Sequence, residues 1–281
     1  MDLGVMIFPT EFVPRPARLA REAEDRGLES LWFPEHTHIP TSRRTPWPGG
    51  EPLPDFYKQS LDPFTALGSA AAVTSTLRLG TGICLVAQRD PIVLAKEVAT
   101  IDLVSDGRFV FGIGLGWNID EMEQHGVDPS RRRKLVREKV EAMKALWTQE
   151  EASYDGEFVN FSSSWSWPKP VQQPHPPVLM GAAASPTSFR QVVAYCDGWM
   201  PIHGRYDVVA KVGELRETAE AAGRDPDSIS LGVFGAPPRA STIERYRDAG
   251  FTRAVLGLPQ SGESEILGTL DEVAKLVGTF G

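Results

Sequence analysis

The sequence has few cysteines, no long apolar run and no excess of basic residues. Cys84 and Cys196 allow at most one bridge, which excludes a disulfide framework. No apolar run approaches about 18 residues, and the first residues lack the basic and apolar segments of a signal peptide. Acidic residues outnumber basic ones by 37 to 29, which argues against nucleic acid or an anionic membrane as the main partner. We therefore expect a soluble, cytoplasmic protein.

Several short catalytic motifs are also missing. The sequence has no G-x-S-x-G elbow and no P-loop, so ordinary hydrolysis and nucleoside-triphosphate chemistry have no motif support. The run Gly112-x-Gly-x-Gly116 is similar to a dinucleotide fingerprint, but Trp117 stands where the third glycine belongs. The pair His36-x-His38 has a spacing that metal sites use, yet the later strand ends lack the further ligands. We expect no metal site.

What the sequence contains is a regular alternation of short apolar segments with amphipathic ones. Eight predicted strands cover residues 3–8, 30–34, 77–83, 109–113, 178–181, 198–201, 229–233 and 253–258. Eight predicted helices cover residues 14–26, 63–73, 91–105, 133–147, 188–195, 208–222, 242–249 and 265–277. Strict alternation indicates parallel strands joined by crossover helices. We predict an α/β fold, a (β/α)8 TIM barrel formed by a single domain over residues 1–281.

Two segments are longer than the usual loops of such a barrel. Residues 37–61 follow the second predicted strand and are rich in proline, glycine and arginine. Residues 150–177 precede the fifth predicted strand and contain YDGEFVNF, which predicts a hairpin around Asp155-Gly156. We interpret both segments as insertions that border the mouth of the barrel.

The active site of a TIM barrel lies at the carboxyl ends of its strands, so the residues just after each strand are the candidates. His36 follows the second strand, where it is either a structural histidine or a catalytic one. Small residues follow three other strands, at Gly82, at Gly114 to Gly116 and at Gly181 to Ala183. Small residues let a planar or phosphorylated ligand approach the backbone closely. Arg43-Arg44 suggests a grip on an anionic cofactor tail.

The sequence resembles a known family in several segments: SLWFPEHTHIP, LRLGTGICLVAQRDPIVLAKEVATIDLVSDGRFVFGIGLGWNIDE, YDGEFVNF, PKPVQQPHPPVLMGAAA and YCDGWMPI. Together they are similar to the luciferase-like monooxygenase superfamily, and within it to the branch of probable oxidoreductases that depend on the deazaflavin coenzyme F420. The resemblance implies a (β/α)8 barrel that binds F420, or in other branches FMN, across the strand ends.

The resemblance also implies catalytic positions. Glu35-His36 stands where the family often has Asp-His, whose histidine contacts the deazaflavin and the substrate. Glu11 falls near a position where some F420 dehydrogenases hold a glutamate. Trp117 stands where some relatives place a catalytic glutamate, so the chain departs from that pattern. We take His36, Glu35 and Glu11 as the candidate catalytic residues.

The cofactor-binding positions implied by the resemblance lie after three strands. Gly82-Ile83 matches a bulge that in F420 relatives carries a non-prolyl cis peptide under the ring, and we predict such a bond here. Gly114, Gly116 and Trp117 match the loop after the fourth strand. Gly181-Ala182-Ala183 matches the segment whose backbone amides hold the cofactor phosphate.

These expectations lead to one leading hypothesis and two alternatives. The leading hypothesis is hydride transfer between F420 and a small organic substrate, with His36 as acid–base group or as stabiliser of developing charge. The first alternative is an FMN-dependent monooxygenase that uses oxygen. The second is a flavin- or deazaflavin-binding protein without catalysis of its own. Because relatives are usually homodimers, we expect a homodimer.

Overall fold

The computed structural model describes residues 1–280, which contain ten strands. In chain order they are β1 (Asp2–Met6), β2 (Ser30–Phe33), β3 (Arg78–Thr81), β4 (Phe109–Ile113), β5 (Ala152–Asp155), β6 (Asn160–Ser164), β7 (Val178–Met180), β8 (Gly198–Trp199), β9 (Ser230–Ala236) and β10 (Arg253–Gly257). Eight of them close a parallel barrel in the order β1-β10-β9-β8-β7-β4-β3-β2. The predicted (β/α)8 barrel is therefore confirmed.

The same residues contain nine α-helices and four short 3₁₀ helices. The α-helices are α1 (Pro16–Asp25), α2 (Pro63–Ala71), α3 (Pro91–Val104), α4 (Ile119–Gln124), α5 (Arg132–Thr148), α6 (Pro186–Tyr195), α7 (Val212–Ala221), α8 (Ala240–Asp248) and α9 (Glu263–Phe280). The 3₁₀ helices are Asp55–Tyr57, Val86–Gln88, Val209–Lys211 and Pro226–Ser228. Within residues 1–280, none of these helices combines the length and the apolar character needed to cross a bilayer.

Two helices begin where the sequence predicts, because an aspartate and a proline mark each start. The Asp62 carboxylate accepts a hydrogen bond from the Thr65 N–H, and the Asp90 carboxylate accepts from the N–H groups of Ile92 and Val93. Proline occupies the first helical position in both, where its missing N–H costs nothing. These caps fix the residues at which α2 and α3 begin.

The predicted hairpin in the second insertion is confirmed. Strands β5 and β6 pair antiparallel, with Asp155 opposite Asn160. The Gly156 N–H closes the turn on the Val159 carbonyl at 2.9 Å. The hairpin is a two-stranded sheet separate from the barrel.

The prediction missed helix α4, which follows β4. Its six residues, IDEMEQ, include three acidic ones and are too few to show a helical apolar period. Tertiary contacts fix it: the Ile119 N–H donates to Thr45 Oγ1 of the first insertion at 3.1 Å. A helix this short is not stable by itself, so it could not be recognised from local sequence.

Two aromatic side chains, Trp32 and Phe234, fill the barrel interior below the site. Trp32 is fully buried, and the two rings meet edge to face with their centroids 6.3 Å apart. A Cβ at Gly80 would lie 2.3 Å from the Trp32 ring, and one at Gly82 would lie 2.5 Å from the Phe234 ring. These glycines therefore make room for the rings, which close the barrel and leave ligands the space above the strand ends.

Candidate active site

His36, the first residue of the site, follows β2 and is held from two sides. Its Nδ1 atom lies 2.8 Å from Oε2 and 3.1 Å from Oε1 of Glu121, while Trp117 Nε1 donates to His36 Nε2 at 3.3 Å. An indole N–H can only donate, so Nε2 must be the unprotonated ring nitrogen and Nδ1 must carry the proton. The structure therefore presents His36 as a neutral imidazole with a lone pair at Nε2.

Glu121 is the functional candidate that sequence reasoning missed. It lies on α4 and is only 1% exposed, although two of its near neighbours on this helix, Asp120 and Glu123, are also acidic. The sequence does contain one indication of this role. Glu121 is four residues after Trp117, and on a helix that spacing places both side chains on the same face, over the end of β4. That signal is usable only when the helix itself is recognised.

Aromatic rings from three segments surround His36: the first insertion and the residues after β1 and β4. The Tyr57 ring centroid lies 5.2 Å and the Trp117 ring centroid 5.8 Å from that of the imidazole. Phe8, at the end of β1, stacks on the His36 ring at 6.5 Å. Burial raises the pKa of Tyr57 above its usual value, which keeps its hydroxyl protonated. Together the three rings form an apolar cover over the imidazole.

Polar contacts fasten the first insertion to α4. His38 Nε2 lies 2.6 Å from Gln124 Oε1, and the Arg44 N–H donates to Asp120 at 3.0 Å. The Arg44 guanidinium pairs with the carboxylates of Asp120 and Glu123. These contacts direct His38 away from the His36 imidazole, which faces Glu121.

The two arginines of the first insertion already have partners in the chain. Arg44 pairs with carboxylates on α4, as described above. The Arg43 guanidinium lies 5.8 Å above the Trp117 ring and 3.2 Å from Glu51. A role of Arg43 and Arg44 in gripping an anionic cofactor tail stays a prediction.

Glu35, although adjacent to His36, makes contacts with a different part of the chain. One carboxylate oxygen accepts from the Leu85 N–H and the other from Arg89 Nε, both at 2.7 Å. Arg89 also pairs with Asp62 at 2.8 Å and with Glu97 at 2.9 Å. Burial opposes the charge of Arg89, but these carboxylates, Glu35 first, raise its pKa above the usual value. Glu35 thus ties the end of β2 to the segment after β3.

Glu11, the third predicted catalytic residue, lies on the exposed segment after β1. Within residues 1–280 its carboxylate has no hydrogen bond or ion pair with the residues of the site, whereas His36 and Glu121 contact each other directly. A catalytic role for Glu11 stays a prediction.

The predicted cofactor-binding residues after three different strands meet at Ile83. The Gly82–Ile83 peptide bond is cis, as the resemblance predicts. A Cβ at Gly114 would lie 2.6 Å from Ile83 Cδ1, and one at Gly181 would lie 2.6 Å from Ile83 Cγ2. Both glycines are therefore needed to seat the Ile83 side chain at the mouth of the barrel. Gly116 has φ +73°, a left-handed conformation that turns the chain toward Trp117.

The segment after β7 offers unpaired backbone donors. Within residues 1–280 the N–H groups of Ala182 and Ala183 have no acceptor, whereas the Ala184 N–H donates to the Tyr206 hydroxyl at 2.8 Å. Ser185 then caps α6. Unpaired N–H groups just before a helix fit an anion such as phosphate.

Buried polar atoms without partners also concentrate at this end of the barrel. Among residues 1–280 they include both side-chain atoms of Asn118, next to Trp117, and Gln88 Oε1 after β3. Asn118 is only 2% exposed. Native proteins leave few buried polar atoms unpaired, because each costs about 1–3 kcal/mol. The strand ends are therefore suited to a ligand with hydrogen-bonding groups.

Fold and site together define a (β/α)8-barrel protein whose histidine-centred site lies at the carboxyl ends of the strands. The chain belongs to the luciferase-like monooxygenase family, whose pattern it matches over residues 6–271. This finding confirms the resemblance expected from the sequence motifs.

Individual relatives show how wide the family is. An uncharacterized protein of Mycobacterium tuberculosis is 44% identical over 279 residues, which cover 98% of each chain. The F420-dependent glucose-6-phosphate dehydrogenase of Kineococcus radiotolerans is 29% identical over 239 residues, covering 82% of this chain and 65% of the relative. Among solved structures, monooxygenase RslO1 from Streptomyces bottropensis superposes with a TM-score of 0.82 at 23% identity over the full length of both chains. That last likeness concerns the fold.

Proposed function

We propose that the protein is an F420-dependent oxidoreductase acting on a small organic substrate. The observation that carries this proposal is the neutral His36 imidazole, held between Glu121 and Trp117 at the strand ends. The name of the Kineococcus radiotolerans relative, an F420-dependent dehydrogenase, supports the choice of cofactor. An acid–base group beside a cofactor is what hydride transfer to or from a carbon–oxygen bond requires.

Bound F420 supplies a carbon that accepts or donates a hydride. The chain itself handles the proton. His36 Nε2 accepts it from a substrate hydroxyl that takes the place of the Trp117 N–H, and the Glu121 carboxylate stabilises the positive charge that forms on the imidazole. In the opposite direction the imidazolium returns the proton to a carbonyl oxygen. A positioned acid–base group of this kind contributes about 10²–10⁴-fold to the rate.

The residues around Ile83 and Ala182 fit the proposed cofactor. The N–H groups of Ala182 and Ala183 would bind its phosphate. The Ile83 side chain, seated over Gly114 and Gly181, would support a flat ring from below. The apolar cover formed by Phe8, Tyr57 and Trp117 would exclude water from the reacting atoms.

The test of the cofactor is a fluorescence titration of the purified protein with F420 and, separately, with FMN. Tight F420 binding with weak FMN binding supports the proposal. Tight FMN binding would instead assign the protein to the oxygen-using monooxygenases. If neither cofactor binds, the proposed function is wrong.

The test of His36 is the variant His36→Ala, with His175→Ala as the matched control because His175 lies in the second insertion and contacts the Pro176 carbonyl. We expect turnover to fall about 10²–10⁴-fold in the first variant with little change in cofactor affinity. Unchanged turnover would favour a protein that binds the cofactor without using His36.

We further propose that a second copy of the chain covers an apolar surface on α3 and the second insertion. Val93 and Val104 of α3 are each 56% exposed, Trp167 is 59% exposed, and the Lys96 ammonium joins the two segments by donating to the Trp167 carbonyl. Such a surface is typical of an interface. Sedimentation analysis tests this interface: a Val104→Asp variant should shift the protein from dimer to monomer, and a monomeric wild type would contradict the proposal.

The cytoplasmic location expected from the sequence stays a prediction.

A further inference from the structure

A cavity of about 380 Å³ lies at the barrel mouth on the side of β1 and β10. Three segments enclose it: the residues after β1, the 3₁₀ helix Asp55–Tyr57 of the first insertion, and the residues between β10 and α9. Its size is within the range of small-molecule pockets. None of the candidate cofactor-binding residues lines it.

The hydrogen-bonding groups that line this cavity are almost all uncharged. They are the side chains of Thr10, Gln59, Gln260 and Ser261. The Ser261 hydroxyl is buried and, within residues 1–280, has no hydrogen-bond partner. The one charged lining residue is Asp55, whose carboxylate pairs with Lys58 at 2.6 Å.

The lining contains no basic group to receive an anion. Among the described residues that enclose the cavity, none is lysine, arginine or histidine. A carboxylate or phosphate placed there would give up hydration without meeting a basic lining residue, and the nearby Lys58 is already paired with Asp55. An uncharged group that donates and accepts hydrogen bonds would instead satisfy Ser261 and Gln260.

Two packed aromatic rings, Phe56 and Phe8, lie between the cavity and His36. Phe56 lines the cavity, and its ring centroid lies 4.9 Å from that of Phe8. Phe8 in turn stacks on the His36 imidazole at 6.5 Å. Gln260 Nε2 donates to the Phe8 carbonyl at 3.4 Å, which fixes one wall of the cavity against the same residue. A substrate that reacts at His36 and spans these two rings would place its far end in the cavity.

We propose that this cavity is a distal subsite of the active site that holds the uncharged, hydrogen-bonding end of the substrate. The inference rests on the proposed function only for the end of the substrate that reacts at His36. The substrate class is then a neutral alcohol or carbonyl compound that carries a second polar group, such as an amide or a hydroxyl. Sugar phosphates and organic acids are disfavoured, in contrast to the substrate in the name of the Kineococcus radiotolerans relative.

The test compares two probes with the same carbon skeleton, levulinamide and its anionic counterpart levulinate, by saturation-transfer NMR on the full chain at neutral pH. We expect levulinamide to bind at least about tenfold more tightly than levulinate, because the anion finds no cation in the cavity. Gln260→Leu and Ser261→Leu should each weaken levulinamide binding about tenfold. Each variant removes a side chain that hydrogen-bonds the probe, and the leucine takes up part of the cavity volume. The matched control is Gln149→Leu, at the exposed end of α5, which should bind like the wild type.

The outcomes separate this inference from the proposed function. Equal binding of the two probes, unchanged binding in both cavity variants, or no binding of either probe overturns the subsite. The probe measurements need no turnover and are made with and without F420. If the cavity variants weaken levulinamide binding while F420 fails to bind, the subsite stands and the proposed function falls.

Discussion

The His36 ring and the Glu121 carboxylate lie 2.8 Å apart in a region where both side chains are more than nine-tenths buried. The two residues are 85 positions apart in the sequence, and they meet because α4 folds back over the end of β4. A buried carboxylate on one ring nitrogen fixes the tautomer of a histidine and leaves the other nitrogen directed at the site. Glu121 therefore acts as a positioning residue for His36.

The first prediction concerns the tautomer of His36. In the wild type, ¹⁵N NMR of the histidine ring should show a protonated Nδ1 and an unprotonated Nε2, because Trp117 can only donate. Replacing Trp117→Phe removes that donor and keeps an aromatic ring, so the Nε2 signal should change. Trp165→Phe is the control, since Trp165 is 74% exposed. A wild-type signal from a ring protonated at Nε2 would contradict the assignment of the lone pair.

The barrel was predictable from the sequence because its signals are local. Asp62-Pro63 and Asp90-Pro91 mark helix starts by their own chemistry, and short apolar strands alternate with helices along the chain. Those signals need no knowledge of what the elements pack against. The predicted position of His36 at a strand end followed from the same alternation.

The partners of the site residues were not predictable, because they depend on contacts between distant segments. Glu121 is brought to His36 by a helix that the first insertion holds in place. The family resemblance predicts a catalytic Glu35 beside His36, yet the Glu35 carboxylate contacts Leu85 and Arg89 after β3. Which way a side chain at a strand end turns is decided by such tertiary contacts, and sequence spacing alone does not specify them.

The second prediction concerns Gly114, where the added methyl group of Gly114→Ala would lie 2.6 Å from Ile83 Cδ1. The Ile83 side chain must shift toward the proposed cofactor, and overpacking of this kind costs about 1–3 kcal/mol. We expect cofactor affinity to fall by about tenfold or more, measured by fluorescence titration with F420 and FMN. Gly68→Ala on α2 is the control, because nothing lies within 4 Å of its added Cβ. Equal affinities in the two variants would show that Ile83 does not support the ring.

The third prediction concerns acid stability and Glu24. One carboxylate oxygen of Glu24 accepts from the backbone N–H groups of Ser75, Thr76 and Leu77, at 2.6 to 2.9 Å. Partial burial would raise the pKa of Glu24, but these bonds lower it from 4.5 to about 2. Between about pH 2 and pH 4.5, the folded state thus binds fewer protons than the unfolded state. The stabilisation is complete above about pH 4.5 and is lost as the pH falls toward 2.

The test of Glu24 is urea unfolding of Glu24→Gln at pH 7 and at pH 3. We expect the variant to lose about 1–2 kcal/mol of unfolding free energy at pH 7 and a smaller amount at pH 3. Asp25→Asn is the control, since Asp25 is the exposed neighbour on the same helix. A loss in Glu24→Gln that does not depend on pH would contradict the proposed role of its charge.

The last prediction separates the adjacent residues Glu35 and His36. Glu35 is 4% exposed, and its carboxylate is bonded to the Leu85 N–H and to Arg89, so Glu35→Gln leaves Arg89 with one buried counter-charge fewer. We expect the variant to lose about 2–3 kcal/mol of unfolding free energy, because breaking a buried charge pair leaves its partner uncompensated. Its folded fraction should keep most of its turnover, since the carboxylate does not contact His36. His36→Ala should differ in its folded fraction, which we expect to lose most of its turnover. Turnover lost in Glu35→Gln at unchanged stability would instead make Glu35 a catalytic residue, as the sequence motif suggested.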